Sequence, residues 1–238
     1  MENSLSTVAI LPFPASQEQI ILALIVIVPL LLIFSFLLIS EEAFEAIGFR
    51  FHQAVLMTVG ALVGSFINIP LIPLDGAVIA VNVGGCIIPL FITLELAVRR
   101  RVNRYHALAA IAAVSLITFA FATPVPGVGI TMPFYIAPLA GAGAGLLLAR
   151  GCGTAPMLAY AGGTVGTLMG ADIFNLANPA VLASLTAVAG TTLSIGGAGI
   201  FDGIFITGIL AVALAAYFGR RIRKMKIACP QDSETESG

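Results

Sequence analysis

Between Ile20 and Ser40 the chain carries no charged side chain, and similar apolar runs return along most of the sequence. A helix of roughly 20 apolar residues is what crosses a hydrocarbon layer of about 30 Å, since each residue advances it by about 1.5 Å. The runs fall at Ile20–Ser40, Ala54–Asn68, Gly76–Val98, Ala107–Thr123, Met132–Ala149, Ala155–Asp172 and Ile200–Phe218. They predict an all-α, polytopic transmembrane helix bundle of about seven spans. With 238 residues, 59% of them hydrophobic and only 10% charged, little chain is left for a soluble domain. The composition argues against a soluble enzyme and against a nucleic-acid binder, and makes the lipid bilayer the first partner.

The net charge of −1 says less than the placement of the charges. Arg99, Arg100, Arg101 and Arg104 form one basic group and Arg220, Arg221, Arg223, Lys224 and Lys226 another, with Arg50 and Arg150 apart. Such groups beside apolar spans attract phosphate in some proteins, but more often mark the cytoplasmic side. Counting spans back from either group puts the N-terminus outside and the C-terminus in the cytoplasm of a multi-pass protein of the cell membrane. This count requires Pro179–Ile195 not to cross. The segment is apolar but broken by Asn178-Pro179, Gly190 and Gly196-Gly197, which suits a re-entrant or interfacial piece. Alternatively, the final helix begins near Thr191. The N-terminus lacks the basic region of a cleaved signal, so the first run is expected to remain as a helix. Residues 1–226 read as one transmembrane domain and 227–238 as a disordered cytoplasmic tail.

A self-comparison aligns Phe91-Ile92-Thr93-Leu94-Glu95-Leu96-Ala97-Val98 with Phe205-Ile206-Thr207-Gly208-Ile209-Leu210-Ala211-Val212, differing only at the fourth and fifth positions. Asn82-Val83-Gly84-Gly85 precedes the first copy and Ser194-Ile195-Gly196-Gly197 the second. Upstream, Gly60 and Gly64 lead to Asn68, as Gly166 and Gly170 lead to Asn175. Either biased composition produced the match or the halves 54–98 and 155–218 form a parallel repeat about an axis along the membrane normal.

Ionisable groups at membrane depth cost several kcal/mol, so the few present are the best pointers to function. Asp75, Asp172 and Asp202 all fall toward the predicted outer side, where they are expected to converge. Asp75 and Asp202 precede helix starts, where an aspartate also serves as a cap. Asp172 falls near a helix end, where the dipole disfavours an anion and a partner, proton or ligand is called for. Glu95 is accounted for by Arg99 one turn on. Asn68, Asn82, Asn175 and Asn178 lie at the helix breaks, able to bind a solute or to satisfy freed backbone groups. Glycines at four-residue spacing, among them Gly162, Gly166 and Gly170, favour close helix approach. Thr123-Pro124-Val125-Pro126-Gly127-Val128-Gly129 reads as an outer turn or a gate. Cys86, Cys152 and Cys229 have no metal-ligand or disulfide spacing, and His52 and His106 have no companion ligands, so no metal and no cofactor is expected.

Ala80-Val81-Asn82-Val83-Gly84-Gly85, Thr123-Pro124-Val125-Pro126-Gly127-Val128-Gly129-Ile130, Gly166-Thr167-Leu168-Met169-Gly170-Ala171-Asp172 and Gly196-Gly197-Ala198-Gly199-Ile200-Phe201-Asp202-Gly203 together resemble a domain-of-unknown-function family of archaeal and bacterial polytopic membrane proteins. The likeness runs from Ala54 to Phe218 and implies membrane localisation without a known activity. Phe201-Asp202 and Gly170-Ala171-Asp172 also echo the presenilin-type intramembrane aspartyl proteases. The echo departs from that pattern in its phenylalanine, its alanine before the second aspartate and its reversed order.

These readings lead to a small transporter or channel-like protein binding a cation or small polar solute at Asp172, Asp202, Asp75, Asn175, Asn68 and Asn82. An intramembrane aspartyl protease with Asp172 and Asp202 as its catalytic pair is the enzymatic alternative, and a membrane scaffold the non-catalytic one. Nothing in the sequence specifies an oligomeric state.

Overall fold

A computed structural model describes residues 17–74, 76–99, 102–149, 153–188, 190–197 and 203–228. The chain divides into two units, Met1–Leu38 and Ile39–Gly238. In the first, helix α1 (Gln17–Ala46, which runs on into the second unit) is apolar on every side and exposed over most of its apolar length. A helix without a polar face is one whose surroundings are themselves apolar.

The second unit is built on helices α2 (Phe51–Gly64), α3 (Ile88–Arg99, entered through a π turn at Val83–Ile87), α4 (Arg104–Phe121), α5 (Ile136–Leu148), α6 (Ala155–Leu176), α7 (Pro179–Thr186) and α8 (Gly203–Ala228). Its centre is a seam of small residues. Ala142 on α5, Ala159 on α6 and Ala211 and Ala215 on α8 are buried together, and Gly141 packs against Gly163 and Ala211. Small side chains let helix backbones approach closely.

The fold is not all-α. Strands β1 (Asn68–Leu74) and β2 (Ala77–Asn82) form an antiparallel hairpin, and β5 (Thr191–Ile195) adds to β2 in parallel, with Val81 opposite Ile195. Pro70 and Pro73 explain why this apolar stretch leaves the helix: each lacks an N–H and clashes with a preceding helical turn. They sit on β1, an edge strand, where the missing donors cost least. In β2, Val78, Ile79 and Val81 have the branched side chains that pack well on a pleated surface. The expected outer turn is a second hairpin, β3 (Thr123–Val125) with β4 (Gly129–Thr131).

The span count is correspondingly lower by length. Among the described residues, α1, α4 and α8 are long and apolar enough to cross a membrane, and a fourth span results if α6 and α7 count as one bent pair. The run expected at Gly76–Val98 gives Ala77–Asn82 to the hairpin, and the run expected at Ala54–Asn68 is short from the start, yielding α2 with 14 residues. That is about 21 Å of helix against a core of about 30 Å. Pro179–Ile195 is an interrupted segment, as expected: α7 lies at 82° to α6 and is followed by β5. The strand replaces the alternative of a final helix starting near Thr191. Helix α8 extends to Ala228, two residues into the expected tail, and the rest of that tail lies outside the described residues.

Candidate functional site

Helix α6 is distorted along the half that leads to Asp172. Two π-helical stretches, Gly162–Gly166 and Leu168–Ile173, widen its turns. Such turns are rare, disturb the regular backbone bonding and recur at functional sites. Hydroxyls and amides supply bonds along this region: Ser115 Oγ donates to the Gly166 carbonyl at 3.0 Å, and Thr167 Oγ1 to the Gly163 carbonyl at 2.6 Å. The glycine spacing predicted from sequence is used on one face. Gly162, Gly166 and Gly170 all turn toward α4, and a Cβ on Gly170 would fall on the Ser115 carbonyl and the Thr118 hydroxyl.

Asp172 lies in the second π stretch and is half-buried. Its carboxylate answers the sequence argument that an anion at a helix end needs a partner: Oδ2 accepts the Gly196 N–H at 2.8 Å. Gly196, with φ of 100°, sits against the backbone of Gly85 and Cys86, so a side chain there meets both strain and a clash. The bond ties the end of α6 to the exit of β5. Two cavities adjoin Asp172. One of about 270 Å³ has Thr131, Thr192 and Ser194 among its lining residues, and one of about 320 Å³ has Met132, Phe134, Ile204, Ile206 and Leu210. Asp172, Ile130, Gly197 and Gly203 belong to both walls.

The asparagines are placed nearby but engaged within the fold. Asn82 is fully buried; its Nδ2 donates to the Ser65 carbonyl at 2.8 Å and to Asn68 Oδ1 at 3.1 Å, and its Oδ1 accepts the Gly85 N–H at 2.9 Å. Asn68 Oδ1 also accepts from the Ser194 hydroxyl at 2.6 Å, which carries this network to the wall of the smaller cavity. Asn175 turns back on its own helix, donating to the Ala171 carbonyl at 2.9 Å. Asn178 caps α7 through the Ala180 N–H.

Asp75 and Asp202 lie outside the described residues, and with them the expected convergence of three carboxylates and the catalytic pair of the protease reading. Leu74 and Gly76, which flank Asp75, are at the end of the sheet where Ala77 pairs with Thr191, opposite the end that Asp172 meets. Among the described residues no group of three or more His, Cys, Asp or Glu side chains is gathered for a metal.

Sequence reasoning did not single out Thr131, Thr192, Ser194, Thr167 or Thr207, the hydroxyls of the two walls. Ser194 had a signal, as the counterpart of Asn82 in the self-comparison. The others are distributed over β4, β5, α6 and α8, and only the fold assembles them.

No curated protein and no solved structure matches the chain. The motifs quoted from Ala80 to Gly203 fall inside one continuous family match: residues 47–214, well over half of the chain, fit the family described as protein of unknown function (DUF1614), and the protein belongs to that family.

Proposed function

We propose that this is a membrane-embedded transporter or channel-like protein that binds a cation or small polar solute at Asp172. The observation that carries the reading is the position of this carboxylate in the shared wall of two cavities, on a π-distorted helix that ends in an 82° break. A carboxylate held at membrane depth is expensive unless it serves a ligand or a proton, and interrupted helices are where small membrane proteins bind solutes. Helices α1, α4 and α8 make the passes, and the bent pair α6–α7 is a fourth pass or a re-entrant piece. On this reading the N-terminus is outside and the C-terminus cytoplasmic; the parallel pairing of β2 and β5, whose chains lead on toward the two basic groups, supports a common side for those groups.

The test is solute flux and solute-dependent thermal stabilisation of purified protein in liposomes, for a panel of inorganic cations and small amines. Wild type is expected to respond to at least one, and Asp172→Asn to lose that response. A wild-type response that survives in Asp172→Asn removes the site.

The scaffold reading has one observation in its favour, the Asp172–Gly196 bond, which joins two elements without any ligand. It predicts that Asp172→Asn changes nothing but stability. Orientation is tested separately, by labelling single cysteines at Lys226 and at Thr123 from the two sides of sealed vesicles.

A further inference from the structure

The two cavities differ in character, and the difference bears on what occupies them. The smaller offers hydroxyls from three positions, Thr131, Thr192 and Ser194. The larger is lined mainly by carbon, with Met132, Phe134, Pro138, Ile204, Ile206 and Leu210 in its wall and two hydroxyls, Thr167 and Thr207, among them. Asp172 stands where they meet, and neither lining includes a lysine or arginine among the described residues. An inorganic cation would use the carboxylate and hydroxyls and leave the apolar chamber unfilled. Divalent ions such as calcium want six to eight oxygens, more than the Asp172 carboxylate and the three hydroxyls of the smaller cavity supply among the described side chains. Together the chambers reach the size range of pockets for organic ligands, roughly 300–1,000 Å³, with one apolar wall and a few convergent polar groups. Phe134, at 84% exposure, stands beside the apolar chamber as an aromatic face open to the surroundings.

Resting on the reading of Asp172 as a binding carboxylate, we propose that the solute is an amphipathic organic cation, an alkylamine or alkylammonium. Its charged head lies at Asp172 with the hydroxyls of the smaller cavity, and its hydrocarbon part fills the larger one. The carboxylate supplies charge complementarity, and the apolar chamber supplies affinity that grows with chain length.

The experiment is equilibrium binding of methyl-, butyl- and hexylammonium to the full chain in nanodiscs, with empty nanodiscs subtracted to remove partition into lipid. Affinity is expected to rise with each methylene, by up to about fourfold where the group is fully buried. Ile206→Trp, which fills the apolar chamber, is expected to flatten that dependence; Leu210→Phe does the same should the first variant fail to fold. Asp172→Asn is expected to weaken the whole series at least tenfold. Equal affinity of wild type for all three amines, with binding still dependent on Asp172, overturns the amphipathic solute and leaves the site standing. A chain-length dependence that persists in folded Ile206→Trp or Leu210→Phe also overturns it, because the chain then lies elsewhere. If Asp172→Asn binds the series as wild type does, the site itself falls.

Discussion

The two copies of the internal match meet in the sheet and close the same joint by different chemistry. In the first, α2 ends at Gly64 and Ser65, and the Gly84-Gly85 turn after β2 lies directly on them, with Asn82 bonded to the Ser65 carbonyl. In the second, α6 carries Asp172 to the Gly196-Gly197 turn after β5, and the carboxylate bonds the Gly196 N–H. Counting back three residues from Asn68 gives Ser65, and from Asn175 gives Asp172. The first joint is sealed by backbone contact and a buried amide. The second is held by a charged side chain with space beside it, so on the proposed reading one copy acts as a brace and the other as a site.

Adding a single methyl group to the sealed contacts should have the largest effects. A Cβ at Gly84 would fall on the Ala61 carbonyl and the Ser65 backbone, and one at Gly170 on the Ser115 carbonyl. Gly84→Ala and Gly170→Ala are each expected to cost about 3 kcal/mol, as overpacking against immovable backbone does. The check is thermal unfolding in nanodiscs; a loss below about 0.5 kcal/mol would mean that these backbones are not in contact. Gly196→Ala follows at about 2 kcal/mol, since its positive φ and the nearby Cys86 both oppose a side chain.

Asn82→Ala sharpens the contrast from the other side. It leaves the Ser65 carbonyl and the Gly85 N–H without the partners that the amide supplies, at a buried position. A cost of about 2 kcal/mol is expected, with little change in solute affinity, because the residue acts through the first joint. A large affinity loss with unchanged stability would reverse the roles of the two copies.

The sequence showed more of this arrangement than it did of the sheet. The runs Ala107–Thr123 and Ile200–Phe218 read correctly as helices, found at Arg104–Phe121 and from Gly203 on, because their length exceeds any strand. The glycines of α6 were legible as contacts because four-residue spacing puts them on one face. β2 and β5 were hidden for a physical reason: a strand with few polar residues loses the two-residue alternation that distinguishes it, and its apolar run merges with the helix that follows. Pro70 and Pro73 were the available warning. The pairing of Ala80 with Ser194 joins residues far apart in the chain, and only the internal match hinted that their neighbourhoods correspond. Asp172 was singled out because helix electrostatics made it anomalous. The cavity hydroxyls were not, because threonine and serine are ordinary residues in any apolar helix or strand.

The smallest expected change in stability belongs to the residue with the largest expected role. In Asp172→Asn the amide oxygen can still accept the Gly196 N–H, so the clamp persists with a neutral acceptor in place of a charged one. Charge-assisted bonds are about twice as strong as neutral ones, which puts the cost at about 0.5–1 kcal/mol. The solute-dependent part behaves differently. A ligand at 100 times its dissociation constant stabilises the native state by about 2.7 kcal/mol, and Asp172→Asn should remove most of that increment. Asp172→Ala serves as the reference, since it removes both the charge and the acceptor. If Asn and Ala are equally destabilising without solute, and neither alters the response to it, then Asp172 is a brace like Asn82 and the two joints differ only in their means of closure. If Asn is nearly as stable as wild type but blind to the solute, the charge is there for the ligand and the hydrogen bond only holds it in position.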